Sequence, residues 1–300
     1  MANNGTLVLT SVTAVPMRMA SPGPVLALAA HGRPEAYDVR FVARTSTGED
    51  VAVTFTEPFA CAAVLRRADI ERLGAGPVDT ASMDGFVVCF LPSGIGTSPE
   101  ERLRIDQWIE DAPLGTRPVV DLVIRGDRIR WRASMCVIHG APDRFWDLLQ
   151  AVTSFSFYEG RLRKLEADLD TVWPTAERDA ILTRRLDARS LRRWAHVDGM
   201  TEDLVRRRLE FARLEPHLEK PSLALSLSAQ RAIAELTVQA DVEDRLIYVD
   251  DRLEVFEDLY ERANERLCDY SYFRREHLVE IAIVVVLLLQ VTVDVLAKFR

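Results

Sequence analysis

Several patterns that identify common protein classes are missing from this 300-residue sequence. Its four cysteines lie far apart and include no CxxC pair, which argues against a zinc site or a disulfide framework and favours reduced thiols. Acidic residues outnumber basic ones by 46 to 38, and the net charge of −8 argues against a direct nucleic-acid partner. The 35 arginines are spread along the chain, so phosphate recognition by arginine stays open without a local cluster to mark it. No signal peptide is predicted, because no basic segment followed by an apolar one opens the chain.

Catalytic motifs are missing as well. The five histidines show no HExxH or HxxxH spacing, and no serine lies in a GxSxG motif. Gly94-Ile95-Gly96 lacks the third glycine of a dinucleotide loop and the Gly-Lys of a P-loop, so we interpret it as a turn. The sequence therefore predicts no catalytic, cofactor-binding or metal-binding residue and does not favour an enzyme. A soluble nucleotide-binding enzyme that uses the 93–98 turn stays open as an alternative.

The first 141 residues are typical of a mixed α+β head. A capping box, Ser98-Pro99-Glu100-Glu101, predicts the start of one helix, and a second short helix is expected over 62–73. A hairpin turn is expected around Gly126-Asp127. Runs of β-branched and aromatic residues predict strands at 6–15, 37–46, 50–59, 85–92, 118–126 and 127–135.

After Pro142 the apolar residues follow the period of an α-helix. A first helix is expected to end near Trp173-Pro174, and shorter helices are expected to begin at caps on Asp187 and Thr201. Lys220-Pro221 predicts a break. The apolar stripe of the first helix consists of Phe145, Leu148, Val152, Phe155, Leu162 and Leu169.

The last predicted helix carries a heptad seam, in which apolar residues alternate at spacings of four and three. The seam packs either on the 145–169 stripe of the same chain or on a second copy, and both interpretations stay open. No proline or glycine follows Ser222, so we expect this helix to run unbroken toward the chain end. The seam residues are Val242, Leu246, Val249, Leu253, Phe256, Tyr260, Ala263, Leu267 and Tyr270.

An aliphatic segment follows the seam. Residues 281–297 would form about 25 Å of helix, at the short limit for crossing a bilayer. Arg274 and Arg275 precede this segment and Lys298 follows it, while Ile281 to Leu289 carry no polar residue. This pattern favours a membrane anchor over the alternative of a buried core helix.

The quoted segments resemble one known family. The seam segment DRLEVFEDLYERANERL is followed by Val279-Glu280, the aliphatic run and Gln290, where the family has a second glutamate. Ser154, Tyr158 and Glu159 stand in a similar helix, and LEKPS at 218–222 is similar to the break before its coiled coil. Over about residues 80–300, with 85–109 included, the chain resembles the required-for-meiotic-nuclear-division family, as a divergent bacterial-type member.

The resemblance implies a membrane protein that acts through oligomers and tethers other components. Mitochondrial members support translation of proteins encoded in the organelle, and no catalytic residue or cofactor is established for the family. The expected organisation is an α+β head at 1–141, a helical region at 142–237, a coiled-coil stalk at 238–278 and a transmembrane helix at 279–298. The expected location is a membrane, crossed once at the C-terminus with the head in the cytoplasm (the mitochondrial inner membrane in a eukaryote).

The leading functional hypothesis is a non-enzymatic, membrane-anchored oligomeric scaffold or tether. It would self-associate through the coiled coil and present its head to an unidentified protein partner, with a link to translation or membrane organisation. The alternative from another class is a subunit of an ion channel or transporter, with Gln290 and Asp294 facing a pore.

Overall fold

The computed structural model describes residues 17–19, 34–43, 50–70, 85–93, 98–111, 118–184, 186 and 190–298, with the backbone alone for 17–19 and 292–298. The chain divides into two compact units. The first unit combines Met1–Lys164 with Glu210–Leu246, and the second combines Leu165–Leu209 with Ile247–Arg300. The predicted strand at 6–15 lies outside the described residues.

The first unit contains a mixed sheet, as the α+β prediction requires. Its strands are β1 (Met17–Met19), β2 (Glu35–Val42), β3 (Asp50–Phe55), β4 (Cys61–Ala68), β5 (Gly85–Pro92), β6 (Val120–Ile124), β7 (Asp127–Arg132) and β8 (Met135–Gly140). They lie in the order β1-β3-β4-β2-β5-β8-β7-β6. Every neighbouring pair is antiparallel except β5 and β8, whose carboxyl ends therefore meet at the same edge of the sheet.

The predicted hairpin joins β6 and β7. Ile124 pairs with Asp127, so Arg125 and Gly126 form a two-residue turn, with φ of 52° and 88°. Two positive φ values are typical of the tight turns that match strand twist. The hairpin prediction is confirmed, with the turn one residue earlier than expected.

The predicted helix at 62–73 is wrong, because β4 occupies most of it. Alanine, leucine and arginine favour a helix when they are isolated. Here β4 pairs with β2 on one side and with β3 on the other, and its first five residues are buried. A strand buried on both faces has no polar alternation, so its sequence is easily confused with a helix.

Two helices cover opposite faces of the sheet. Helix α1 (Pro99–Glu110) begins at the predicted capping box: Ser98 Oγ accepts the Glu101 N–H at 3.1 Å, and Glu101 Oε2 accepts the Ser98 N–H at 3.2 Å. The opposite face is covered by the first half of helix α2 (Phe145–Asp179), where the Phe145 ring lies 4.2 Å from that of Phe90. α1 packs in a buried cluster that contains Cys89, Leu91, Ile105, Trp108, Ile109, Met135 and Val137.

Three further helices complete the described chain, α3 (Trp194–Glu219), α4 (Leu227–Gln239) and α5 (Val242–Lys298). The break at Lys220-Pro221 is confirmed, because it separates α3 from α4. A second break lies at Asp241, with φ of 50°, and separates α4 from α5. Aspartate tolerates this left-handed backbone better than most residues, so a sequence without proline or glycine can still turn. As expected, the seam helix α5 runs unbroken from Val242 to Lys298.

Two predicted helix boundaries are wrong. α2 continues through Pro174 to Asp179, although a proline inside a helix costs about 3 kcal/mol. The Trp173 ring, next to this proline, packs 5.3 Å from that of Phe256. Thr201 lies inside α3, where its Oγ1 donates to the Val197 carbonyl at 2.9 Å instead of capping a new helix. Asp187 lies outside the described residues.

The second unit buries most of the heptad seam within a single chain. Arg252 of α5 pairs with Asp170 of α2 at 2.6 Å, and the Tyr260 hydroxyl donates to Asp179 Oδ2 at 3.1 Å. These contacts support the intrachain interpretation for this part of the seam. Six of the seven seam residues of this unit are at most 1% exposed: Val249, Leu253, Phe256, Tyr260, Ala263 and Leu267.

Asp179 is the polar centre of the second unit. Its carboxylate is completely buried and contacts Arg193 at 2.7 Å, His196 Nε2 at 2.7 Å and the Tyr260 hydroxyl at 3.1 Å. The surrounding donors offset the desolvation of the buried charge. The cluster therefore ties the end of α2 to α3 and α5.

The predicted transmembrane helix at 279–298 is wrong. Within the described part of the chain, no helix combines the length and apolar content that crossing a membrane requires. The aliphatic run from Ile281 to Leu289 gives about 14 Å of helix, whereas a bilayer core is about 30 Å thick. Glu280 precedes the run, and Gln290 and Asp294 follow it. For the same reason, the predictions of a tail anchor and of a single-pass membrane location, with the head in the cytoplasm, are wrong.

Candidate functional site

The most unusual surface of the described chain is the end of α5. Every residue from Tyr272 to Val291 is exposed, including apolar side chains that soluble domains normally cover. Tyr272 is 73% exposed and Phe273 is 65% exposed, whereas Leu267, only five residues earlier, is fully buried. We call residues 272–291 the terminal surface. Its apolar residues are contiguous, and contiguous exposed apolar surface marks an interaction site.

The terminal surface continues the heptad seam without a change of register. Counting onward from Tyr270 in steps of four and three reaches Arg274, His277, Ile281, Val284, Leu288 and Val291. The seam residues from Val249 to Leu267 are buried by other helices of the chain. The later residues follow the same spacing but are left exposed, and they form a further seam. The four apolar positions of this outer seam are all more than half exposed.

Two polar residues interrupt the seam before its outer apolar part. His277 Nδ1 lies 3.2 Å from Glu280 Oε2, and the His277 ring stacks on the Phe273 ring with centroids 6.0 Å apart. Arg274 and Arg275 lie on the preceding turn. A polar residue at a seam position fixes the register of helix pairing at some cost in stability. The junction is thus suited to align neighbouring helices.

The other residues considered in the sequence do not gather into one site. Gln290 is exposed on α5, and the side chain of Asp294 lies outside the described residues, so the pore alternative stays a prediction. The Gly94-Ile95-Gly96 turn also lies outside them. His139, His196 and His217 lie in three separate environments. Cys61, Cys89 and Cys136 are buried and Cys268 is exposed, all as free thiols.

Sequence reasoning missed the continuation of the seam. It treated Arg274 to His277 as the border of a membrane segment and stopped the heptad count at Tyr270. Continuing the count through the polar residues would have found Ile281 and Val284 at seam positions.

Comparison with known proteins adds no family. No protein-family model matches the chain, and no curated protein matches it. The resemblance to the required-for-meiotic-nuclear-division family stays a prediction.

Proposed function

We propose that this chain is a non-enzymatic oligomeric scaffold whose copies associate through the terminal surface. The observation that carries the proposal is the exposure of twenty consecutive helical residues, 272–291, on which the heptad seam continues. Association brings several copies of the α+β head into one assembly. Each head then presents its surface to a protein partner, as the family resemblance also implies for a tether.

A second copy of the same chain is the occupant that the surface fits best. A seam built on spacings of four and three packs against another helix with the same spacing. The inner seam already packs on helices of its own chain, so the outer seam extends an existing mode of contact. Arg274 stands at a seam position and Glu280 at the flanking g position, so charges of both signs lie where neighbouring helices would meet.

The residue types at the outer seam favour more than two copies. Steps of three separate a from d positions, so Ile281 and Leu288 are at a, and Val284 and Val291 are at d. Two-stranded coiled coils prefer leucine at d, and β-branched residues there shift the preference to three or four strands. Ile283 and Val285 are also exposed and lie off the seam, so each helix has apolar surface for more than one neighbour.

The mass of the purified full chain tests the proposal. We expect light scattering or sedimentation to give three or four times the single-chain mass of 33.8 kDa. The double substitution Ile281→Glu with Val284→Glu is expected to weaken association at least about a hundredfold, because burying unpaired carboxylates costs several kcal/mol and each 1.4 kcal/mol is about tenfold. Both residues are about half exposed in the single chain, so its fold should be unchanged.

The matched control is Val255→Glu, which introduces the same side chain on the same helix. Val255 is 52% exposed and lies off the seam, so this variant should keep the mass of the unmodified chain. A full chain of single-chain mass at high concentration contradicts the proposal. So does an oligomer whose mass the double substitution leaves unchanged.

A further inference from the structure

A small cleft between α1 and the sheet collects charged residues from distant parts of the sequence. Its volume is about 70 Å³, and all the residues that line it belong to the first unit. A water molecule takes about 30 Å³ of liquid, so the cleft has room for a small polyatomic group. Its lining consists of Leu91, Arg102, Asp106, Arg128, Arg130, Val137 and His139.

The strand pairing explains why these residues meet. Alternate residues of β7 face α1, so Arg128 and Arg130 point to the same face while Trp131 packs on Phe155 of α2. Arg128 pairs in register with His139, which places both at one level of the sheet. α1 starts at the edge where the carboxyl ends of the parallel strands β5 and β8 meet, and such edges commonly hold ligands in α/β sheets.

Two of the three arginines that line the cleft form ion pairs with carboxylates. Arg130, with only 9% of its side chain exposed, holds Asp106 at 2.6 Å and Glu110 at 2.5 Å. Its Nε makes no hydrogen bond within the described residues but lies 3.7 Å from Asp121 Oδ2. Arg128 holds Asp121 with two of its nitrogens. The lining itself therefore contains three guanidinium groups and a single carboxylate.

Arg102 is the arginine left for a ligand. Nη2 of its guanidinium lies 3.4 Å from His139 Nε2. Burial lowers the pKa of His139, and the charge of Arg102 lowers it further, so the imidazole is neutral near pH 7 and has one N–H donor.

We propose that this cleft binds the oxyanion of a phosphate group, with Arg102 as its main ligand and with Arg128 and His139 beside it. Arginine donates pairs of N–H groups with a geometry that matches phosphate oxygens. Arg102 lies on a helix and Arg128 on a strand, so their guanidinium groups approach the cleft from different directions, as a tetrahedral anion requires. The phosphate belongs either to free inorganic phosphate or to a nucleotide, since the same groups recognise both.

Binding of inorganic phosphate to the full chain tests the proposal directly. We expect calorimetry at constant ionic strength, set with chloride, to show saturable binding to one site per chain. Arg102→Ala is expected to weaken binding about tenfold or more, and Arg102→Lys by less, because lysine keeps the charge but not the paired donors. Arg102 is exposed, so neither substitution disturbs the core.

Arg104→Ala is the matched control, because Arg104 is exposed on the same helix and does not line the cleft. It should bind phosphate like the unmodified chain. A parallel titration with ADP separates the two sources: tighter binding than phosphate, lost in Arg102→Ala, identifies a nucleotide, and equal binding identifies free phosphate. No saturable binding of either ligand overturns the proposal, as does equal binding by the Arg102→Ala and unmodified chains.

Discussion

We expect the Arg245→Leu variant to lose about 3–5 kcal/mol of unfolding free energy, because it leaves a carboxylate buried without its main counter-charge. Glu159 is completely buried in the first unit, and neither of its oxygens has a hydrogen-bond partner within the described residues. Arg245 Nη2 lies 3.1 Å from Glu159 Oε1 and is itself buried. Unfolding by denaturant, followed by circular dichroism at a fixed protein concentration, measures the change.

Two further variants separate the charge effect from lost packing. Arg163→Ala removes the other arginine near Glu159, which lies 3.8 Å away and is 26% exposed, so we expect a loss below about 1 kcal/mol. The double variant Glu159→Leu with Arg245→Leu removes both buried charges and should recover most of the stability. A double variant as unstable as Arg245→Leu alone would show that shape, rather than the unpaired charge, causes the loss.

Elements with a local signal could be predicted from the sequence. The capping box at Ser98, the turn beside Gly126 and the seam of α5 each depend on residues close together in the chain, and all three are present. The α+β class also follows from such local patterns. A signal of this kind survives in the fold because tertiary packing adds to it and does not oppose it.

Elements decided by distant contacts could not be predicted. The sequence of β4 alone favours a helix, and pairing with β2 and β3 on both sides makes it a strand. The helix α2 continues through Pro174, and the neighbouring Trp173 packs on Phe256 of α5, far along the chain. The membrane prediction failed for a different reason: it counted Gln290 and Asp294 as part of a span at 281–297, whereas the uninterrupted aliphatic run ends at Leu289.

The phosphate cleft shows the same limit for a site. Arg102, Arg128 and His139 look unrelated in the sequence, where arginines are common and evenly spread. Only the register of β7 with β8 and the position of α1 bring them together. The terminal surface is the opposite case, because its seam could have been found by counting positions alone.

The second large effect is expected at the inner seam. Phe256→Ala should destabilise the second unit by about 3–5 kcal/mol, the usual cost of removing a buried aromatic side chain. Phe256 is only 1% exposed, and its ring contacts that of Trp173 at 5.3 Å. Trp173 in turn lies under the guanidinium of Arg252 at 5.1 Å. The cavity left by Phe256→Ala would therefore weaken the stack of Arg252, Trp173 and Phe256, and not only one pair of rings.

Denaturant unfolding of Phe256→Ala beside Val255→Ala gives the decisive comparison. Val255 precedes Phe256 on the same helix but is 52% exposed, so its truncation should change stability by at most about 0.5 kcal/mol. The difference between the two variants then measures the burial of the seam within one chain. If both variants were equally mild, α5 would not pack on α2 as described, and the inner seam would be open to other copies. The proposed division of α5 into an inner seam for its own chain and an outer seam for self-association therefore depends on this result.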